Sequence, residues 1–488
     1  MDEQSPPLVL ADVLARHAAV RPAATAIEFE GKAIPYGELA GSVERLAGRL
    51  WHRWNVRAGD RVAWLGANHP LQLQLLFALA RIGAMLLPLN TRLAPAEWDA
   101  LVAGCRPSHL VHDGALATAA SALGARVGLA VHSTEEFEAS DDTGVAPRAV
   151  TPGSPALLVY TSGTTGGAKA AVHTQANLLA NMRMACEVQR ITPGDVVATM
   201  LPLFHVGGLC IQTLPALYAG AKVILHPRFD ADAAIDCFER QHPTLTLQVP
   251  TTMKALVDHP RWNEADLSSL RAIWAGSSLL PAVLVQAFHR RGLPLCNVYG
   301  ATETGPFSIA LPPEQAVSHA GSCGWPAPGV EVRLEDPKDG IGEILLRGPN
   351  IISHYWPSLP ACDAEGWFHS GDLASKADDG SYTVAGRSKD LIISGGENIH
   401  PAEIEGVLAE HPSVAECAAF GLPDATWGEI VAAAIVLKPG PSIPEEVLRE
   451  HLAARLARFK LPRRWFFVDA LPKTALGKVQ RRELTKLA

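Results

Sequence analysis

The chain has no CxxC pair and no histidine cluster, although eight cysteines are spread through its 488 residues, at 105, 186, 210, 237, 296, 323, 362 and 417. Neither a zinc site nor a disulfide framework is indicated, and the thiols read as small buried hydrophobes in a reducing compartment. Positive charge is also short: 42 Lys and Arg against 50 Asp and Glu leave a formal net charge of -8. No segment has the basic density that a nucleic acid requires. The most basic stretch runs from Arg455 through Lys460, Arg463 and Arg464 to Arg482. A solvated amphipathic helix explains it as well as a phosphate-bearing ligand does. Long apolar runs are missing too: the greasiest, Leu71 to Leu89, is broken by Gln72, Gln74, Arg81 and Pro88, so no membrane span is expected. The opening Met-Asp-Glu-Gln-Ser-Pro-Pro has no basic region leading into an apolar core. No signal peptide is expected, and the reading is a cytoplasmic protein.

What is present is the texture of a globular α/β chain, with 48% hydrophobic and 19% charged residues and a length that suggests about two to four domains or subdomains. Apolar spacing predicts a helix over Tyr36–Trp54, a strand at Arg61–Leu65, a helix over Leu71–Ile82 and an extended Ala84–Leu89. Further strands are expected at Val223–His226, Leu245–Val249 and Leu270–Ala275, separated by helical stretches. This alternation points to parallel sheets covered by helices. From about Gly329 to Arg387 the texture changes to short alternating strands punctuated by Gly and Pro, as in a small β-barrel or distorted sheet. A compact unit follows Asp390, with a helix near Pro401, strands around Val414–Phe420 and Ile430–Leu437, and a helix from about Pro444 to Ala457.

Five stretches carry chemistry. Tyr160 to Lys169, YTSGTTGGAK, follows the buried strand Ala156–Tyr160 and precedes a helical segment from about Gln175 to Val188. Its closely spaced N–H groups and hydroxyls, with an ammonium at the end, suit a polyphosphate. A flexible surface turn has the same composition, and the spacing is not that of a Walker A loop. In Val298–Gly305 a hydroxyl, a carboxylate and a hydroxyl (Thr302, Glu303, Thr304) follow a strand end. That is where α/β sheets bind ligands and where Glu303 can hold Mg²⁺. The same residues could instead form a capped helix start, with Thr302 as the cap. In Gly366–Ala374, Asp372 can accept two ribose hydroxyls or form an ordinary Asx turn. Gly386–Glu405 holds the tetrapeptide Arg387-Ser-Lys389-Asp390, a buried strand, the pair Gly395-Gly396 and a helix with proline near its start. A linker, a strand and a capped helix without any ligand would read alike. Pro472–Lys478 is a glycine-hinged loop presenting a lysine, which in isolation would simply be solvated.

Taken in order, these five stretches resemble the adenylate-forming superfamily of acyl-CoA synthetases, adenylation domains and luciferases, from about residue 10 to the C-terminus. The resemblance implies an α/β fold: a large N-terminal domain of parallel-rich sheets covered by helices plus a small β-barrel, followed by a small mobile α+β C-terminal domain. The implied division is 1–388, with the barrel-like part at about 329–387, and 389–488, with a hinge near Lys389. It further implies that Thr161, Ser162, Gly163, Thr164, Thr165 and Lys169 cradle the β- and γ-phosphates of ATP. Thr302 and Glu303 would contact the α-phosphate and Mg²⁺, and Tyr299 would stack on adenine beside Gly276 and Ser277. Asp372 and Arg387 would hold the ribose, and Lys478 would bridge carboxylate and α-phosphate. Gly395 and Gly396 would let the pantetheine of coenzyme A pass close to the backbone. Ala168 and Ala170 stand where the family usually has proline and glycine; altered loop mobility is expected, with every donor and the ammonium retained.

The implied activity is an acid–thiol ligase that joins a small carboxylic acid to coenzyme A through an acyl-AMP, using ATP and Mg²⁺. The segments expected to line the acid pocket are Leu201–Ile211, Gln248–Thr252 and Trp274–Ser278, with His205, Val206, Gly207, Val249, Trp274, Gly276 and Thr304 as candidate residues. They contain no Asp or Glu, which argues against an amino acid and for an apolar acid, fatty or aromatic. His205 lines or gates the pocket or is a hydrogen-bonded structural residue. Trp274 would shorten the tunnel towards medium-chain or aryl acids. Two alternatives stand beside this reading: loading of a carrier-protein thiol, and a catalytically silent acyl-nucleotide-binding protein. The oligomeric state, with a homodimer as one option, is open.

Overall fold

The computed structural model describes residues 9–138, 146, 150–161, 168–276, 280–394, 397–424, 427–441, 443–474 and 478–488. Two large sheets dominate. The first has nine strands, and its six central ones run parallel in the order 295–299, 272–276, 245–248, 196–199, 222–225 and 25–29. The second has eight strands; 155–161, 85–88, 61–65, 109–112 and 130–133 are parallel. Side-chain alternation along single strands divides the core between opposite faces. Val62 and Trp64 enter one cluster and Ala63 and Leu65 another; Val197 and Ala198 separate in the same way. Sheets buried on both faces explain why these strands are continuous apolar runs.

The central core between the sheets is filled by helices Leu10–Val20, Tyr36–His52, Pro70–Ile82 and Gln175–Gln189. Tyr36–His52 buries Tyr36, Leu39, Val43, Leu46 and Leu50, a single stripe at helical spacing. Pro70–Ile82 is buried nearly all round, which is why its sequence is apolar apart from Gln72, Gln74 and Arg81. Helices Ala231–Gln241, Pro250–Val257 and Ala282–Arg290 cover the outer face of the first sheet, and Pro95–Cys105 and Ala117–Val127 that of the second. No helix among the described residues is long and apolar enough to cross a membrane.

The segment expected as a barrel-like or distorted sheet is a four-stranded antiparallel sheet of 331–338, 341–347, 368–376 and 382–387. A 3-10 turn at Ser388–Asp390 leads into a last, five-stranded sheet, with helices Pro401–Ala409 and Glu445–Ala453 packed on one face.

One element adds to the expected order. The helix expected from about Gln175 forms as Gln175–Gln189, but a strand that was not expected, Lys169–Thr174, precedes it, antiparallel to Pro155–Thr161 with Thr161 opposite Lys169. The two strands form an antiparallel pair, and Thr174 caps the helix at Gln175 by accepting from the Asn177 N–H at 3.2 Å.

Candidate active site

The C-terminal edge of the parallel strands gathers two of the five stretches, those ending at Lys169 and Gly305. Strand Leu295–Tyr299 ends at Gly300, where an added Cβ would lie 1.8 Å from the Pro306 carbonyl oxygen, so only glycine fits. Thr302–Thr304 is a single 3-10 turn. The helix start capped by Thr302 is therefore not formed; Thr304 Oγ1 accepts from the Ala301 N–H at 3.0 Å instead. The buried Asn350, which the sequence reading missed, donates to the Thr304 carbonyl at 2.5 Å and fixes the turn. Glu303 is thereby presented at the strand ends. Its Oε1 accepts from Tyr355 Oη at 2.9 Å. The Tyr355 ring, on a strand paired with Ala171, has the Lys169 ammonium 5.2 Å from its centroid. Tyr355 thus joins the hairpin lysine to the carboxylate, a second residue the sequence reading missed. Burial and the Glu303 charge both push its phenol pKa up, so it stays a donor.

Beside this lies a second cluster. Asp372 faces Arg387 across antiparallel strands, with Arg387 Nε 2.9 Å from Oδ1. Tyr299 Oη donates to Asp372 Oδ2 at 2.9 Å, and burial, then the Asp372 charge, hold the Tyr299 phenol well above its ordinary pKa. Both carboxylate oxygens are thus positioned by partners of opposite chemical character, one cation and one neutral hydroxyl.

Lys478 comes to the same place from the far end of the chain. It is half-buried, and its electrostatic neighbours are Arg387, Asp372, Glu303 and Lys389. Burial, then Arg387, lowers its pKa, while Asp372 and Glu303 hold it up. Its loop is tied by Lys478 N–H to Thr474 Oγ1 at 3.2 Å and Thr474 N–H to the Lys478 carbonyl at 2.7 Å. Arg481 anchors the chain end beyond the loop, pairing with Asp390 at 3.1 Å and with Glu405 at 2.7 Å. The Lys389 pKa is lowered by burial and by Arg387.

The acid-pocket candidates lie on the central-core side. His205 packs edge-on against Phe204 at 4.5 Å, and its Nε2 is buried without a hydrogen-bond partner among the described residues. Burial, then Arg92 and Lys478, lower its pKa to about 3, so the ring is neutral at pH 7. Trp274 is fully buried with its ring 5.8 Å from Phe307; Val206 is buried, Gly207 and Val249 are half-buried, and Thr304 is buried. Gly276 ends its strand against the Val298 carbonyl, 2.7 Å from an added Cβ. Ser162, Gly163, Thr164, Thr165, Ser277, Gly395 and Gly396 lie outside the described residues.

A carboxylate at strand ends, a carboxylate–guanidinium–phenol cluster and a converging ammonium can hold a hard divalent cation, a diol and a polyanion respectively. Comparison with known proteins agrees with that chemistry. The family model of AMP-binding enzymes matches residues 14–356, and that of the AMP-binding enzyme C-terminal domain matches 403–478. The chain is 42% identical to an indoleacetate–CoA ligase of Aromatoleum aromaticum, with 98% of each chain covered. It is 40% identical to a feruloyl-CoA synthase of Amycolatopsis, covering 96% of this chain and 97% of that one. The o-succinylbenzoate CoA synthetase of Bacillus subtilis superposes in complex with its acyl-adenylate at a TM-score of 0.88, with 30% identity and 97% of each chain covered. The chain therefore belongs to the AMP-binding, adenylate-forming enzyme family.

Proposed function

We propose that the chain activates an aromatic carboxylic acid as its acyl-adenylate and transfers the acyl group to coenzyme A. It is an acid–thiol ligase whose co-substrates are ATP, as its Mg²⁺ complex, and coenzyme A. The convergence of Lys478 with Glu303, Asp372 and Arg387 carries the mechanism. The aromatic acid is supported by the neighbouring Trp274 and Phe307 rings beside the candidate segments, by the absence of Asp and Glu from Leu201–Ile211, and by relatives named for indoleacetate, ferulate and succinylbenzoate.

A carboxylate is a poor electrophile, and bringing it to a phosphate opposes like charges. In the first half-reaction a carboxylate oxygen bonds to the α-phosphorus, and the bond from that phosphorus to the bridging oxygen breaks, releasing pyrophosphate. Lys478 interacts electrostatically with Asp372 and Glu303, the groups that would hold the ribose and the metal, so its ammonium would neutralise charge building on the α-phosphoryl oxygens. Glu303 has the oxygen chemistry that Mg²⁺ prefers, and Tyr355 would fix its orientation; when bound, the ion neutralises phosphate charge. Asp372 would accept the ribose hydroxyls, with Arg387 and Tyr299 keeping it in place. Thr302 would face the α-phosphate, and Thr161, the loop after it and Lys169 the departing pyrophosphate. In the second half-reaction the thiol sulfur bonds to the acyl carbon, its proton goes to solvent, and AMP leaves with the former carboxylate oxygen.

Lys478 should be absent from that second step. Residues 389–488 would therefore swing as a small domain about Lys389, relative to 1–388. His205, neutral and a weak proton acceptor, would line the acid pocket. Both co-substrates are cytoplasmic metabolites, which supports a cytoplasmic location.

ATP–pyrophosphate exchange over a panel of aromatic and aliphatic acids, repeated as thioester formation with coenzyme A, tests the proposal. Aromatic acids should support both reactions. Exchange with aliphatic acids alone would overturn the aromatic reading, and exchange without any coenzyme A thioester would favour a carrier-protein thiol.

A further inference from the structure

The helix that begins at Val206 is widened over Leu209–Thr213 into a π-helical turn, a distortion that often marks functional sites. Buried polar side chains brace its carbonyls. Asn181 Nδ2 donates to the Cys210 carbonyl at 2.7 Å, Thr213 Oγ1 to that of Gly208 at 2.7 Å, and Gln189 Nε2 to that of Ile211 at 2.7 Å. The last bond fixes a chain of orientations. A carbonyl can only accept, so Gln189 turns its NH₂ to Ile211 and its Oε1 away. That Oε1 can only accept, so Gln212 must offer its own NH₂, at 3.0 Å. Gln212 Oε1 is left as an acceptor by elimination. It is buried and has no hydrogen-bond partner among the described residues.

Gln212 lines a small cavity of about 10 Å³, walled also by Thr199, Leu201, Gly208 and Leu247. The neighbouring hydroxyls do not serve the amide oxygen, since Thr199 and Thr213 bond each other at 2.9 Å. The space suits one water-sized group, and a single buried acceptor calls for a donor. Leu201 and Gly208 belong to the segment that carries His205 and Val206, and Leu247 pairs with Trp274 on the neighbouring strand. The six steps from Val206, next to His205, to Gln212 span roughly 9 Å along a helix, comparable with an aryl acid from carboxylate to ring substituent.

We infer that Gln212 Oε1 accepts a hydrogen bond from a hydroxyl at the far end of the acyl substrate, so that the enzyme selects aromatic acids carrying a distal phenolic group. This rests on the aromatic-acid reading of the pocket. An acid lacking the hydroxyl leaves the acceptor unpaired or must retain a water there, and both weaken transition-state binding.

The test is a set of matched acids: phenylacetate, phenylpropanoate and cinnamate, each with and without a meta or para hydroxyl. For the wild type, kcat/KM should favour one hydroxylated member over its parent by about tenfold to a hundredfold. Gln212→Met should collapse that ratio to below about threefold, whereas Gln212→Glu, which as the neutral acid can still donate to Gln189 and keep a carbonyl acceptor, should retain it. Leu247→Phe, which fills the cavity and leaves the amide in place, should collapse it too and decides the matter if Gln212→Met does not fold. Equal use of every pair by the wild type, as for a cavity holding only a structural water, would overturn the inference and leave the aromatic-acid reading standing. A ratio that survives both cavity variants would overturn it likewise. Failure of all aromatic acids in pyrophosphate exchange would remove the reading beneath it.

Discussion

The two halves of the site are built on opposite plans. Around Asp372 and Glu303 the polar groups already have partners: Arg387 and Tyr299 hold one carboxylate and Tyr355 the other. Among the described residues, the proposed acid pocket has unpartnered polar atoms at His205 Nε2, Trp274 Nε1 and Gln212 Oε1, whereas on the nucleotide side such atoms (Asn350 Oδ1 and the His173 ring) lie behind the Thr302–Thr304 turn and not on the two carboxylates. The difference teaches where preorganisation is useful. A partner that never changes, such as a nucleotide, is best met by groups held rigidly beforehand. A variable acid is discriminated by a few buried groups that only the right ligand satisfies.

The sharpest break in this comparison is Lys478→Ala. Acyl-adenylate formation should fall by about 10²- to 10³-fold, while thioester formation from supplied acyl-AMP stays nearly intact; equal loss in both assays would contradict the role. Because burial lowers the Lys478 pKa, adenylation by the wild type should decline as pH rises at a lower pH than for an ordinary lysine, and thioester formation from acyl-AMP should not show the same decline. On the pocket side, Trp274→Gly opens space next to Phe307 and should shift preference towards longer acids by about tenfold or more in kcat/KM. A preference for long-chain acids in the wild type, unchanged by the substitution, would refute a shortening role for Trp274.

Smaller effects probe the rigid half. Asp372→Asn weakens the Arg387 pair and should raise KM for ATP about tenfold, read by initial rates of pyrophosphate exchange at varied ATP. Tyr355→Phe removes one hydrogen bond to Glu303 and should reduce activity about three- to tenfold, most at limiting Mg²⁺. An unchanged Mg²⁺ dependence would sever Tyr355 from the metal.

Much of the fold was legible because both large sheets are covered on two faces, which writes their strands as apolar runs and their helices as spaced stripes. Arg61–Leu65 and Tyr36–His52 are such cases. Strand Lys169–Thr174 was not legible: its two alanines have little strand preference, and pairing with Pro155–Thr161 overrides that. The π-helical turn was hidden because Leu209–Thr213 is buried on all sides and carries no periodicity. Local stretches named Glu303, Asp372 and Lys478, whereas Tyr355 and Asn350 act on the Thr302–Thr304 turn from 52 and 46 residues away. Partnerships at that separation leave no mark in a single sequence, since neither residue belongs to a spaced motif. Gln212 escaped notice for a different reason: an isolated glutamine acquires meaning only once its neighbours fix which end of its amide is left over.

The most direct measurement tracks oxygen atoms. The aromatic acid that gives the fastest coenzyme A-dependent release of AMP is supplied with both carboxylate oxygens as ¹⁸O, and the products are weighed by mass spectrometry after single turnover. Attack on the α-phosphorus and then thiol transfer require one ¹⁸O in AMP, one in the thioester and none in pyrophosphate. Label in inorganic phosphate, or AMP without label, would contradict passage through an acyl-adenylate.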